Sequence, residues 1–228
     1  MRHFKSDRLI SRNSGLAKGM LYTGLGVLVV SLVFSLVQRE NVTQPVILAI
    51  IGLMLSQIGM PLYNRWARRP RMDEIFDAAL KGLDNRYALF HYALGTNHAL
   101  VGPAGIFALI PRIEEGEISF SEGKWWRQVE NPGFLRRAGK KEIKNIAKEA
   151  AGEMRALERT LKRIFPDQRE TYLDAIVVFL HKDADVKVVD SPIVSTHIKK
   201  IKNVVRRLPK GKSFDVDEIE HIADILKL

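Results

Sequence analysis

Two long stretches without charged residues lie near the N-terminus, and they constrain the fold more than any other feature of the sequence. Residues 19–38 and 41–64 contain no Asp, Glu, Lys or Arg, and the apolar part of the second stretch runs from Val46 to Tyr63. A helix of about 20 apolar residues crosses the hydrocarbon core of a bilayer. Pro45 suits the first turn of a helix. We therefore expect a two-helix transmembrane hairpin over residues 19–64.

Two alternative interpretations of these stretches are a cleavable signal peptide and a helical hairpin buried in a soluble core. The first stretch is too long for a signal peptide, lacks a small-x-small cleavage site and is followed by a second apolar stretch. Two uncharged runs of this length are rare in soluble cores. Both alternatives are therefore disfavoured.

Basic residues flank the predicted hairpin on its outer sides. The N-terminal segment 1–18 and the segment 65–71 each carry a net charge of +4, whereas the connecting loop is neutral. Lys and Arg beside membrane helices stay in the cytoplasm, so we expect both termini on the cytoplasmic side of a multi-pass protein, with the lipid bilayer as one partner. The residues expected at the membrane interface are Arg12, Lys18, Tyr63, Arg65, Trp66, Arg68 and Arg69.

Small and polar residues inside the hairpin predict how its helices pack. Gly19 with Thr23, and Gly52 with Ser56, are four residues apart and permit close helix contact. Gln57 is the one strongly polar side chain well inside the second run, and we expect its amide to bond the other helix or another subunit. A transporter or channel is disfavoured because no charged residue lies inside either run.

The rest of the chain, residues 72–228, is nearly neutral. It carries a net +2 of the whole chain's +10, so the pI near 9.8 reflects the membrane flanks and gives little support for nucleic-acid binding. The sequence contains no cysteine, which excludes disulfides, thiolate zinc sites, iron–sulfur clusters and a thiol nucleophile.

Hydrophobic periodicity predicts an α/β domain in this region. We expect a helix over 72–94, a β-hairpin of strands 97–101 and 106–110 around a Gly-Pro-x-Gly turn, and a third strand over 117–129 with a possible turn at Gly123. The pattern then predicts a helix over 140–165 that ends at Pro166, and a doubly buried strand over 174–180. A short strand over 186–189 and helices over 194–208 and 216–228 complete the chain, with Asp215 and Glu218 spaced as a capping box.

Most catalytic signatures are absent from the sequence. The six histidines show no paired spacing, no Gly-x-Ser-x-Gly elbow occurs, and residues 210–213 lack the first glycine of a phosphate-binding loop. We expect no metal and no cofactor. Lys199, Lys200, Arg206 and Arg207 belong to the densest basic run, for which a solvated helix face is favoured over a nucleic-acid patch. Lys124 precedes Trp125-Trp126, a pair that could stack on bases but for which core packing is favoured.

One local stretch resembles a known family. The sequence Asn-His-Ala-Leu-Val-Gly-Pro-Ala-Gly-Ile-Phe-Ala-Leu-Ile-Pro-Arg, residues 97–112, resembles the central hairpin of the nuclease-related domain (NERD) family of the restriction-endonuclease-like superfamily. The strand 176–180, the following His-Lys-Asp-Ala and the two terminal helices are also similar. The resemblance covers residues 72–228. It implies a central mixed sheet flanked by helices, and a bacterial cytoplasmic membrane as location, because the family's domain is often joined to membrane helices in bacteria.

The resemblance also implies where a catalytic site would lie. The family holds Mg²⁺ with an acidic residue on the first hairpin strand and a Glu-x-Lys on the second, and these positions fall on Asn97, Ile110 and Arg112. An amide is a weak metal ligand and an isoleucine side chain is not a ligand at all. The site therefore lacks the carboxylates that a hard divalent cation requires. Glu114, Glu115 and Glu117 follow nearby, but their surroundings are typical of an exposed loop.

The functional expectation is a non-catalytic, membrane-anchored accessory or scaffold protein. Its degenerate nuclease-like domain would bind a partner, most simply other subunits of a membrane protein complex. The alternative is a membrane-tethered nuclease or nucleic-acid-binding protein. Its contacts would come from Arg112 and His98 and from the basic side chains Lys124, Lys199, Lys200, Arg206 and Arg207.

Overall fold

The structure is a computed structural model with two compact units. It describes residues 1–37, 42–129, 139–166, 172–209, 214 and 216–226, so the predicted Asp215 cap and the 210–213 turn lie outside the described residues. One unit comprises residues 6–74, and the other comprises residues 1–5 together with residues 75–228. The first five residues therefore belong to the α/β unit although the helical unit follows them in sequence.

Two long helices form the helical unit. Helix α1 spans Asp7–Val37 and helix α2 spans Thr43–Trp66. Both are long and apolar enough to cross a membrane, as the uncharged stretches predicted. Helix α1 begins well before residue 19, so the basic segment 7–18 is helical and continuous with the apolar run.

Close backbone contact holds the two helices together. A Cβ added at Gly52 would lie 2.9 Å from Gly24 O, and one added at Gly59 would lie 2.7 Å from Leu21 N. Gly52 and Ser56 thus lie at the helix contact as predicted, whereas an added Cβ at Gly19 would meet nothing within 4 Å. The close approach on α1 is made by Gly24 instead.

A mixed sheet forms the centre of the α/β unit. The described part of the chain places six strands in this sheet, in the order Arg2–Lys5, Ala88–His91, His98–Gly102, Gly105–Arg112, Leu173–Phe179 and Val194–His197. The elements up to the middle of the chain are β1 (Arg2–Lys5), α3 (Met72–Leu80), β2 (Ala88–His91), β3 (His98–Gly102), β4 (Gly105–Arg112), β5 (Gly116–Ser121), β6 (Lys124–Val129) and β7 (Gly139–Ile143). They are followed by α4 (Ile146–Ile164), β8 (Leu173–Phe179), β9 (Ala184–Val186), β10 (Val194–His197), α5 (Ile201–Arg207) and α6 (Val216–Ile225).

Both faces of this sheet are covered by apolar side chains. On one face, Ala108, Ile110 and Val177 pack with residues of α4, α6 and a second sheet of order β7-β6-β5-β9. On the other face, Leu109 and Val178 pack with residues of α3 and α5. The chain is thus mixed α/β, as predicted. Strand β8 pairs in parallel with β4, and helix α4 precedes β8 as the crossover.

The predicted β-hairpin and the buried strand are confirmed, but three predicted helices are wrong in part. The 72–94 helix stops at Leu80, and residues 88–91 form β2, which is buried on both faces and so shows no alternation. The 140–165 helix starts only at Ile146, because residues 139–143 pair with β6 and Asn145 adopts a left-handed φ of 68°. The 194–208 helix contains β10, a 3₁₀ turn and then α5.

The third predicted strand is a hairpin. Residues 117–129 form β5 and β6, which are antiparallel and joined at Glu122 and Gly123, both with positive φ. Two successive positive φ values are typical of a tight hairpin turn, which glycine favours. The turn predicted at Gly123 is therefore confirmed. The predicted 186–189 strand lies slightly earlier, as the three-residue β9.

Candidate functional site

The β3–β4 hairpin places the three positions that the family resemblance singled out at one of its ends. Ala99 pairs with Ala108, and Leu100 with Phe107, in an antiparallel ladder. Asn97 directly precedes β3, and Ile110 and Arg112 lie in the last three residues of β4, so all three positions are at the end of the hairpin away from its turn. One corner of the sheet, at the end of the hairpin, therefore gathers an amide, an apolar side chain and a guanidinium.

Asn97 is held by a carboxylate from helix α4. Its side-chain Nδ2 donates to Glu153 Oε1 at 2.8 Å, and its backbone N–H donates to Glu153 Oε2 at 3.2 Å. The hydroxyl of Thr96, a residue only 6% exposed, also donates to Glu153 Oε2. Both oxygens of Glu153 thus accept hydrogen bonds from the residues just before β3.

Arg112 is held by two further carboxylates. Its Nη2 donates to Glu114 Oε1 at 2.6 Å and its Nη1 donates to Glu149 Oε2 at 2.7 Å. Its side chain is only 14% exposed. Burial alone disfavours the charged guanidinium, but the hydrogen bonds to Glu114 and Glu149 outweigh it and raise the pKa of Arg112. The guanidinium is therefore a fixed positive charge in this corner.

Ile110 supplies no polar atom to the site. It is 4% exposed and packs in the core between the sheet and α4. A carboxylate here would need a cation or donors to balance its burial. Within the described ranges, no group of three or more His, Cys, Asp or Glu side chains is arranged to hold a metal ion. The nearest carboxylates, Glu114, Glu149 and Glu153, are instead bonded to Arg112, Thr96 and Asn97.

A cleft of about 970 Å³ adjoins Arg112. Its walls come from the ends of β4, β6 and β7 and include Arg127, Lys141, Lys144 and His181. Arg127 and Lys141 are directly opposite each other across the β6–β7 ladder. Like charges in directly opposed positions repel and destabilise a sheet. Neither side chain has an ion-pair partner within the described part of the chain, so this wall of the cleft is suited to an anionic group.

The acidic residues after β4 also line this cleft. Glu114 and Glu115 are partly buried, and His181 Nε2 lies 3.7 Å from Glu115 Oε2. Glu117 lies outside the cleft lining and accepts a 2.6 Å hydrogen bond from Lys187. The cleft therefore carries charges of both signs, with the basic residues concentrated on β6 and β7.

The predicted nucleic-acid residues do not form one surface. His98 is 2% exposed and lies in the core, so the prediction that it contacts nucleic acid is wrong. Lys124 lies on β6 with its Nζ 3.8 Å from Glu142. Lys200 and Arg207 line a groove of about 380 Å³ at β10 and α5. Arg206 instead donates to the carbonyl of Gly82, and Lys199 is exposed beside Lys200.

Sequence reasoning missed a polar network on the α3 face of the sheet. Asp77 of α3 binds His3 of β1 and, at 3.2 Å, His91 Nε2 of β2. His91 Nδ1 lies 2.7 Å from His98 Nδ1 of β3. His91 and His98 are 0% and 2% exposed. His3, His91 and His98 lie on neighbouring strands of the sheet. The sequence alone does not show this, because it does not show that β1 pairs with β2.

The predicted membrane-interface residues all lie on α1, on α2 or just beyond α2. Arg12 and Lys18 are exposed on α1, and Arg65, Arg68 and Arg69 are exposed at or after the end of α2. The two aromatic residues of this set pack against other side chains, whereas headgroup anchors were expected to be exposed. Trp66 is only 8% exposed, with the Arg65 guanidinium 5.2 Å from its ring, and Tyr63 packs edge-on against Tyr22.

Comparisons of the chain with models of protein families, with curated proteins and with solved structures found no match. The site is thus defined by its own chemistry. Asn97 and Arg112 are held by carboxylates of the same helix, and Arg112 borders an open cleft in which Arg127 and Lys141 have no ion-pair partner among the described residues.

Proposed function

We propose that the protein is a non-catalytic accessory or scaffold subunit of a protein complex in a bacterial cytoplasmic membrane. A transmembrane hairpin holds a domain of the NERD type, with a restriction-endonuclease-like fold, at the cytoplasmic surface, where it binds a protein partner. The order of elements supports this fold: helix α3, the antiparallel meander β2–β3–β4, the crossover helix α4, and β8 parallel to β4.

The exposure of α1 and α2 supports insertion in a membrane. Only 17% and 11% of their most apolar windows are buried within the structure. A soluble protein rarely exposes a contiguous apolar surface of this size. A bilayer is the environment that removes these side chains from water.

The pairing of β1 with β2 supports a hairpin with both ends on one side of the membrane. Residues 1–5 and 75–228 form one compact unit, and β1 is hydrogen-bonded along β2 from Arg2 to Lys5. Strands in one sheet cannot be separated by a bilayer, so the chain before α1 and the chain after α2 share a compartment. The basic flanks assign that compartment to the cytoplasm.

The observation that carries the non-catalytic assignment is the bonding of Asn97 and Arg112 to helix α4. A Mg²⁺ site needs carboxylate oxygens that are free to bind the metal. Here the Glu153 oxygens accept from Asn97 and Thr96, and Glu149 and Glu114 are paired with Arg112. The fixed guanidinium of Arg112 would also repel a divalent cation.

A cleavage assay tests this assignment. The full chain in lipid nanodiscs is incubated with Mg²⁺ or Mn²⁺ and with single- and double-stranded DNA and RNA, and we expect no cleavage above the protein-free background. Arg155→Ala, which removes an exposed arginine of α4, is the control for Arg112→Ala. Cleavage that is lost in Asn97→Ala and Arg112→Ala but retained in Arg155→Ala would overturn the proposal.

The partner is tested by purification in mild detergent followed by mass spectrometry. We expect a membrane protein to co-purify in fixed stoichiometry with the wild-type chain and to be reduced in a variant that combines Arg127→Glu with Lys141→Glu. Lys148→Glu changes an exposed lysine of α4 and serves as the control. Recovery of the wild-type chain without any other protein would contradict the scaffold assignment.

A second candidate function is nucleic-acid binding, and the opposed pair Arg127 and Lys141 favours it. Each DNA phosphate that such a side chain neutralises releases a counterion from the duplex and contributes about −0.9 to the slope of log K against log salt. Fluorescence anisotropy with duplex DNA at several salt concentrations measures this slope. Binding that weakens with salt, and whose slope falls in Arg127→Ala but not in Lys148→Ala, would favour this candidate over the scaffold.

A further inference from the structure

Helix α2 presents two different lines of residues with a seven-residue spacing. Pro45, Gly52, Gly59 and Trp66 are its buried residues, and the two glycines contact α1. Thr43, Ile50, Gln57 and Asn64 form a second line, and all four are exposed. At 3.6 residues per turn, Gln57 lies about 140° around the helix from Gly52. This second line of residues therefore faces away from α1.

Gln57 lies deep in the apolar part of α2. It is 11 positions after Val46 and six before Tyr63, the ends of the apolar part, so a rise of 1.5 Å per residue leaves it about 17 Å and 9 Å from them. Its side chain is too short to reach either interface over that distance. Within the described part of the chain, its amide has no hydrogen-bond partner, so the other helix of the hairpin does not satisfy it.

An unpaired amide in hydrocarbon is costly, and polar residues in membrane helices accordingly face other protein groups. If the hairpin is in the bilayer, as the proposed function states, a second protein surface must cover Gln57. A glutamine side chain carries both a carbonyl acceptor and an NH₂ donor. Two glutamines related by a two-fold axis can therefore bond each other reciprocally, which makes this residue complementary to its own copy.

The residues around Gln57 have the spacing of a two-helix seam. Ile50, Gln57 and Asn64 recur every seven residues, and Leu53 and Met60 follow the first two of them by three, as in the a and d positions of a heptad. Ile50, Leu53 and Met60 are 53%, 52% and 50% exposed. This face carries no charge that would repel an identical face. A polar residue at an a position fixes register and oligomeric state.

We propose that the chain forms a parallel homodimer in the membrane through the Ile50–Leu53–Gln57–Met60–Asn64 face of α2, with the two Gln57 carboxamides hydrogen-bonded to each other. The parallel arrangement follows because every copy has the same orientation in the membrane. The two copies of the α/β unit are then held on the same side of the bilayer, which gives the proposed scaffold two identical partner sites.

Cysteine cross-linking of the full chain in liposomes tests this dimer, because the natural sequence contains no cysteine. We expect single cysteines at Ile50, Leu53 or Met60 to form disulfide-linked dimers on oxidation. Ile51 and Ile58 are 45% and 54% exposed but lie about 100° away from Ile50 and Gln57, and cysteines there should remain monomeric. Equal cross-linking at both sets, or an adduct with a different protein, would overturn the proposal.

A substitution of Gln57 tests the role of the amide. Gln57→Leu keeps a side chain of similar size without its polar group, and we expect the dimer dissociation constant in liposomes, measured by energy transfer between labelled chains, to rise about 5- to 30-fold. Ile58→Leu is the control and should leave it unchanged. An undiminished dimer in Gln57→Leu would contradict the reciprocal amide pair.

Extraction of the membranes with alkaline carbonate shows whether a negative cross-linking result contradicts the dimer or the membrane anchor. Alkaline carbonate removes peripheral proteins and leaves inserted helices in the membrane. A chain that stays in the membrane but does not cross-link refutes the dimer alone. A chain that carbonate releases refutes the membrane anchor, and the dimer with it.

Discussion

Asp77 binds two histidines that come from two different strands, His3 of β1 and His91 of β2. An ionised carboxylate only accepts hydrogen bonds, so Nε2 of the buried His91 is the donor. Burial by itself would raise the pKa of Asp77, but the hydrogen bonds and charges of His91 and His3 outweigh it and lower the pKa. The network therefore stabilises the folded state only while Asp77 is ionised.

Asp77→Ala should destabilise the protein by about 1–3 kcal/mol at neutral pH, because it leaves His91 buried without its acceptor. A carboxyl with a lowered native pKa contributes stability above its unfolded value of about 3.9, and loses it as pH falls through the native pKa. The difference from wild type should therefore narrow below about pH 4. Urea unfolding of the full chain in detergent, followed by tryptophan fluorescence, measures it.

Asp84→Ala is the matched control for this substitution. Asp84 also has a lowered pKa, owing first to its hydrogen bond from Arg86, but its side chain is 48% exposed. Solvent screens such a pair, so its removal should change stability little. An equal loss in Asp84→Ala and Asp77→Ala, or a pH-independent loss in Asp77→Ala, would show that the network contributes nothing through ionisation.

Glu153 connects helix α4 to the start of β3, and its removal should have a structural effect. Glu153→Ala leaves the hydroxyl of Thr96 and the amide of Asn97 without their acceptor, and we expect a loss of about 1–3 kcal/mol. Glu158→Ala, which breaks only the exposed pair with Lys162, should have little effect. Urea unfolding compares the two. Unchanged stability in Glu153→Ala would mean that water replaces the carboxylate at this corner.

The hairpin of α1 and α2 depends on glycines at the points where the two backbones meet. A Cβ at Gly59 would lie 2.7 Å from Leu21 N and 2.8 Å from Leu21 Cα, and backbone atoms cannot move aside as a flexible side chain can. Gly59→Ala should therefore push the helices apart and destabilise the hairpin by about 1–3 kcal/mol.

Gly26→Ala is the control for Gly59→Ala, because a Cβ at Gly26 meets nothing within 4 Å. Unfolding in mixed micelles, titrated with sodium dodecyl sulfate and followed by circular dichroism, compares the two variants. We expect Gly26→Ala to unfold with wild type and Gly59→Ala to unfold at a lower detergent fraction. The reverse order would contradict the packing of the two helices.

Elements with a local signal could be predicted from the sequence, and elements without one could not. The β3–β4 hairpin has its Gly-Pro-x-Gly turn, and β8 has a continuous β-branched run. Strand β2 lacks alternation because both of its faces are buried, and apolar residues at helical spacing continue into it past Gly82, whose φ of 88° follows the end of α3. Strand β1 is four residues long with a polar sequence, and its pairing with β2 joins residues more than 80 positions apart.

In the candidate site, the positions within the hairpin could be predicted from the sequence, but their partners from α4 could not. The position of Asn97, Ile110 and Arg112 at the same end of the hairpin follows from its turn, which sets Gly102 opposite Gly105 and so fixes which ends of the two strands lie together. The partners of these residues come from elsewhere in the chain: Glu149 is 37 positions from Arg112, and Glu153 is 56 positions from Asn97. Their contacts depend on how α4 packs on the sheet, which no local pattern specifies.

For the whole molecule, the N-terminal strand makes the α1–α2 hairpin an insertion within one folded unit. The chain leaves the sheet after Lys5, passes through α1 and α2, and returns to the same unit at Ile75. The segments before and after the hairpin are consequently tied to one folded unit by the hydrogen bonds between β1 and β2.

This architecture predicts the accessibility of single cysteines in a chain that has none of its own. In the proposed topology the connection between α1 and α2 faces outward, so a membrane-impermeant maleimide added to intact cells should label Val42→Cys, which is 64% exposed at the start of α2. The same proposed topology makes Ser11 of α1 and Lys148 of α4 cytoplasmic, so Ser11→Cys and Lys148→Cys should be labelled only after permeabilisation. Labelling of Ser11→Cys from outside together with protection of Lys148→Cys would mean that β1 and β2 are on opposite sides of the membrane, which their pairing forbids.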